Sequence, residues 1–93
     1  MPEKIWMSRE TWLSGLPEPM RQAIDAARAG TTPPRGAFRA LRMAGRWAET
    51  GMLPGCPATN GAPMRPTMQA SVAAELYALA EGVRRNRAAR RLP

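Results

Sequence analysis

The chain has 93 residues, with thirteen arginines and one lysine against seven carboxylates and a formal net charge of +7. At this length it can form one domain at most, with roughly a third of the unfolded chain's surface still exposed after folding. The absence of histidine and the single cysteine, Cys56, exclude an internal disulfide and leave metal, haem and triad chemistry without its commonest side chain.

A short first helix is expected from "SRETWL". The Ser8 hydroxyl can accept from backbone N–H groups two or three residues on, and Glu10 falls in the favourable first turn. Gly15 and Pro17 limit it to about two turns. The next element, "PEPMRQAIDAARAG", reads as a helix with Pro19 at its first position and Gly30 as a left-handed stop. Met20, Ala23, Ile24 and Ala27 form its apolar stripe, which leaves Arg21, Asp25 and Arg28 for water. "TTPPRG" then enforces a turn, because Pro33 and Pro34 cannot continue helical hydrogen bonding.

A third helix is predicted from about Ala37 to Thr50. Phe38, Leu41, Gly45 and Ala48 share one face, with Ala44 beside them, and Arg39, Arg42, Arg46 and Glu49 share another. Its polar side is therefore mostly arginine. Glu49 is placed to orient Arg46 or Arg42 by a surface ion pair, or else to accept from a cytosine amine, and Trp47 reads as a core anchor in preference to a base-stacking platform. Met20 and Met43 also fit faces that look buried.

Residues 51 to 66, "GMLPGCPATNGAPMRP", oppose helix through their prolines and glycines. The Asn60-Gly61 pair suits a tight hairpin, although Pro57, Pro63 and Pro66 would confine any strands to edges. The segment reads as a loop or a short irregular hairpin. Cys56, between Gly55 and Pro57 with no base to activate it, reads as a small apolar loop residue.

The last helix is the clearest element. From near Thr67 or Met68 it places Val72, Leu76, Leu79 and Val83 at spacings of four, three and four, and Ala73, Tyr77 and Ala80 widen the stripe. It ends in "RRNRAARR", where positive charge complements the carboxyl end of the helix dipole. The organisation expected is a mainly α domain of three to four helices over residues 1–83, with room for a small β-hairpin wing between the last two. Residues 84–93 follow as a basic helix end or tail.

Among function classes, the charge favours polyanions. An arginine fork donates two parallel hydrogen bonds to phosphate or guanine, so three on one helical face suit a major groove. The cluster Arg84, Arg85, Arg87, Arg90 and Arg91 has the composition of a segment that grips phosphate backbone without reading sequence. A solvated helix face and a composition set by a GC-rich coding sequence would leave the same residues. No glycine-rich phosphate loop, carboxylate pair or metal-ligand cluster is present, so neither catalysis nor a cofactor is expected. With no long apolar run and no apolar leader in "MPEKIWMSRE", the expectation is a soluble, cytoplasmic chain with no membrane contact.

The stretch "LRMAGRWAETGMLPG" resembles the second helix and exit turn of small winged-helix DNA-binding domains of the excisionase and mercury-resistance-regulator kind. Their pattern is leucine, arginine, an aromatic, then a glycine and a proline-containing turn ahead of the wing. The chain is also similar in outline to the Mu-type phage transposase and repressor domains, through Trp6 and Ser8, Leu16 and Pro17, and a helix from Gly36 to Trp47. The resemblance implies that Arg39, Arg42 and Arg46 sit on the groove-facing helix and Arg65 in the wing.

The function expected is a small non-catalytic DNA-binding protein, a regulator of transcription, recombination or transposition from a mobile element or phage. In that mechanism Arg39, Arg42 and Arg46 meet the major groove, Arg35 and Arg65 steady the register, and the Arg84 to Arg91 cluster holds adjacent backbone. The alternative is a phage-encoded inhibitor or adaptor whose arginine face meets an acidic surface on a host protein, with Met and Trp as hot-spot contacts. A third reading is a helical subunit of a larger assembly, including an RNA-binding one, since arginine-rich segments also serve RNA.

Overall fold

A computed structural model of the chain describes residues 6–51 and 64–91, with side chains described through Asn86. It contains helices α1 (Arg9–Ser14), α2 (Glu18–Ala29), α3 (Ala37–Thr50) and α4 (Pro66–Arg91), and no strand among the described residues. Of the expected hairpin wing over residues 51 to 66, residues 52–63 lie outside the described residues, and its described end, Met64, Arg65 and Pro66, forms no strand but leads into α4. Nothing in the fold supports it.

Helix α1 starts where its cap chemistry dictates. Ser8 Oγ accepts from the Thr11 N–H at 3.1 Å, and the Ser8 carbonyl accepts from Trp12 at 3.0 Å. The helix ends at Gly15 after six residues, long enough to bury Trp12 completely. Leu16 is buried directly behind it, and α2 opens with Pro19 in its first turn, where the missing N–H is no loss. Gly30, at φ 71°, closes α2 in the left-handed conformation as expected, with Met20, Ala23 and Ile24 buried along its length.

Helix α3 has the limits its sequence predicts, and its inner face is Ala37, Leu41, Ala44, Gly45 and Ala48. Two neighbours depart from expectation. Phe38 is only half-buried, packed at the edge of the core, and Met43 is 46% exposed. At about 100° per residue Met43 lies some 160° from Leu41, which turns it outward. Trp47 packs against the core while remaining half-buried, in keeping with an anchoring role.

Helix α4 begins at Pro66, a residue earlier than the expected start near Thr67 or Met68, because a proline at the first helical position loses no hydrogen bond. Val72, Ala73, Leu76, Ala80 and Val83 are buried, with Leu79 and Tyr77 half-buried beside them. The 26 residues span about 39 Å, far longer than α3.

Helices α3 and α4 run antiparallel in close contact. Gly51 lies against Gln69, Gly45 against Tyr77, and Phe38 beside Ala80 and Glu81. Gly45 allows the close approach of the two helices, and the alanines at 37, 44, 48, 73 and 80 are buried in the shared core. Helix α2 packs on both α3 and α4. The opposite flank of α4 is pinned by charge: Glu75 pairs with Arg9 of α1 and, at 2.6 Å, with Arg28 of α2. Arg28 is thus not simply in water, because the end of α2 carries it over the α4 carboxylate.

Candidate nucleic-acid interface

With its inner face committed to α2 and α4, α3 presents a continuous outer arc. Arg39, Arg42, Met43, Arg46, Glu49 and Thr50 are all exposed on it. By helical geometry the three arginines fall within about 60° of arc. Together with Phe38, Trp47 and Tyr77 these residues line an open groove of about 1110 Å³ along α3 and the facing flank of α4.

The disposition of the carboxylates decides which arginines are available. Glu75 is shared by Arg9 and Arg28, and Glu81 pairs with Arg84 one turn along α4 at 2.8 Å. Glu18 accepts from Gln22 at 3.1 Å. Glu49, expected to hold Arg42 or Arg46, instead accepts from the Tyr77 hydroxyl at 2.7 Å. Among the described residues Arg39, Arg42 and Arg46 therefore have no carboxylate within ion-pair distance. Arg42 lies over the Phe38 ring, 5.8 Å from its centroid, a cation–π contact along the helix that leaves its hydrogen-bonding edge available.

The Tyr77–Glu49 bond depends on Gly45. A Cβ built at Gly45 would stand 2.9 Å from Tyr77 Cε1, so the ring can lie on the α3 backbone only where no side chain exists. From there the hydroxyl reaches Glu49, about one helical turn further on. Donation to this carboxylate, followed by burial, raises the phenol's pKa above its ordinary value near 10, while Arg42 and Arg46 pull in the opposite direction. The sequence pattern shows Tyr77 as stripe-widening apolar surface and does not reveal the partner of its polar end. The signal that could have found it is the pairing of a core-facing glycine on one helix with an aromatic on the other.

The remaining predicted contacts are dispersed. Arg35 is exposed in the turn just ahead of α3. The antiparallel register places that turn at the same end of the helix pair as Arg84 and Arg85, both exposed. Arg65 lies ahead of α4 at the opposite end, over the Trp6 ring at 5.2 Å, and does not line the groove. The side chains of Arg87, Arg90 and Arg91 lie outside those described, although α4 itself runs unbroken to Arg91.

No cluster of three or more His, Cys, Asp or Glu that could hold a metal occurs among the described residues, and none of the described helices is long and apolar enough to cross a membrane. Comparison of the chain with family models, curated proteins and solved structures gives no match.

Proposed function

We propose that the chain binds duplex DNA non-catalytically, as a regulator in transcription, recombination or transposition, with α3 in the major groove. The observation that carries this reading is the unequal neutralisation of the arginines. Arg9, Arg28 and Arg84 pair with the protein's own carboxylates, whereas Arg39, Arg42 and Arg46, like Arg21, Arg35, Arg65 and Arg85, form no ion pair among the described residues, and these three alone stand together on one exposed helical arc. Unmatched guanidinium groups favour an external polyanion, and the overall charge of +7 draws one in at long range.

In this reading Arg39 and Arg46, the arginines nearest the outward meridian of α3, address base edges and phosphates of the groove floor and wall. Arg42, drawn back over Phe38, addresses a flanking phosphate. Arg35 and the basic end of α4 lie at one end of α3, where they would extend the contact along the backbone. The connection over residues 30–36 is longer than the roughly three or four residues of a common helix-turn-helix, so α2 supports α3 without reproducing that motif's tight turn.

The test is titration of a random-sequence duplex at increasing salt. Binding should be strong at low salt, and its logarithm should fall linearly with the logarithm of salt concentration as condensed counterions are released. An inhibitor or adaptor docking on an acidic protein surface is the second reading, favoured by exposed Met43 beside half-buried Trp47. Failure to bind duplex at low salt would select it.

A further inference from the structure

Met43 is the exposed large hydrophobic residue among those described, at 46% exposure, and it lies on the same outward arc as Arg39 and Arg46. Four residues separate it from the first and three from the second, so it sits between them along the helix. A helix rises about 1.5 Å per residue, which places Arg39 and Arg46 about 10 Å apart along the axis, close to three base-pair steps of duplex DNA. Just under half of the Met43 side chain is open to solvent, and it is shorter than the arginines that flank it, so it forms an apolar step recessed between two guanidinium forks.

We propose that Met43 is a specificity-determining residue, seated against the 5-methyl group of a thymine whose neighbours are contacted by Arg39 and Arg46. The proposal rests on the DNA-binding reading above and adds the sequence it prefers. The major groove displays one apolar group, the thymine methyl, among hydrogen-bonding edges. A flexible apolar side chain between two guanidinium forks complements that pattern, with the forks suited to guanine O6 and N7 on either side. The preferred site is therefore a thymine within a few base pairs of two guanines. Charge complementarity names the occupant as duplex DNA: an apolar tip framed by unmatched cations suits a polyanion that carries an isolated methyl group.

The experiment enriches binding sites for the full chain from a random duplex library, then replaces thymines in the enriched duplex, one position at a time, with deoxyuridine, which lacks only the methyl group. One such replacement should weaken the wild type by about threefold to fivefold, the effect of one buried methyl-sized group. It should leave the affinity of Met43→Ala unchanged. Because Met43 is exposed, Met43→Ala should keep the helical circular dichroism and unfolding midpoint of the wild type.

Enriched duplexes without a shared thymine overturn the proposal, as does equal sensitivity to deoxyuridine in wild type and variant. Either result leaves DNA binding itself intact. Failure to enrich or bind any duplex at low salt, with the protein folded and retained instead on poly-L-glutamate, overturns both this inference and the reading it rests on.

Discussion

Tyr77 shows how one side chain can link two helices by both its faces. Its ring lies against the bare backbone at Gly45, and its hydroxyl donates to Glu49 on the same helix. The bond requires a neutral phenol, which is why the folded state raises its pKa. The sign of the consequence follows from linkage. The unfolded chain loses the proton near pH 10, below the point at which the folded chain does, so the contribution is complete below pH 10 and is lost as pH rises through the folded pKa. Stability should therefore decline in the alkaline range in wild type and decline less in Tyr77→Phe, checked by urea midpoints over pH. Because this is the chain's single tyrosine, its ultraviolet absorbance titration reports the shift directly, and Glu49→Gln should bring the titration back toward pH 10.

At this same scale the sequence is least informative. Phe38 and Met43 carry apolar side chains that suit an interior, yet hydropathy alone does not say where the buried arc of a helix ends. That limit is set by how closely α4 approaches, and it excludes Met43 while leaving Phe38 at the margin. Glu49 was paired with arginines because they are its neighbours along the helix, but a hydroxyl from a distant part of the chain reaches it instead. Trp12, wholly buried at the start of the chain, drew no attention as a core residue because α1 is too short to show a period.

At the scale of elements, the contact between α3 and α4 is set by small residues, and Gly45 is the tightest point. Replacing a mid-helix glycine with alanine ordinarily stabilises by about 1 kcal/mol. Here the added methyl meets the Tyr77 ring at 2.9 Å, and overpacking costs about 1–3 kcal/mol. Gly45→Ala should consequently destabilise by about 1 kcal/mol and shift the tyrosine titration downward. In a Tyr77→Ala background the same substitution should become stabilising, and that reversal of sign, read from denaturant midpoints, isolates the ring contact from helix propensity. Gly51 is constrained differently, since it closes α3 at φ +77° with Gln69 where a side chain would begin. Gly51→Ala should lower stability by about 1 kcal/mol or more.

The other flank of α4 is held by Glu75, which receives Arg9 and Arg28 from two different helices. Both arginines are partly solvated, so Glu75→Gln should cost only about 1 kcal/mol after screening. The loss should shrink in high salt, as a denaturation series at two ionic strengths would show. The helices themselves are legible in the sequence: the caps at Ser8 and Gly30, the end of α3 near Thr50 and the stripe of α4 follow from local chemistry. The link from Arg28 to Glu75 is not, because a helix pattern reports which residues share a side and not what a distant helix brings opposite them.

For the whole molecule, folding sorts a diffuse positive charge into neutralised and unneutralised parts. Truncating an arginine that reads a base should cost about 1–3 kcal/mol on the preferred site, and truncating a phosphate-contacting one should weaken all sequences alike and lower the salt slope by about one. Arg39→Ala and Arg46→Ala should behave in the first way, and Arg85→Ala in the second, each measured by fluorescence anisotropy on preferred and random duplexes. Arg28→Ala, at a position already matched by Glu75, should leave DNA affinity almost unchanged while reducing stability.

Helix limits, the inward position of Leu41 and Leu76, and the gathering of three arginines on one side of α3 were all written in the order of residues, because capping and helical periodicity act over a few positions. The ring of Tyr77 on Gly45, the capture of Arg28 by Glu75 and the exposure of Met43 depended on residues far apart in the chain meeting in space. Local chemistry can place a charge on a face. Whether that charge stays unmatched is settled by which carboxylates the packing of α1, α2 and α4 carries elsewhere.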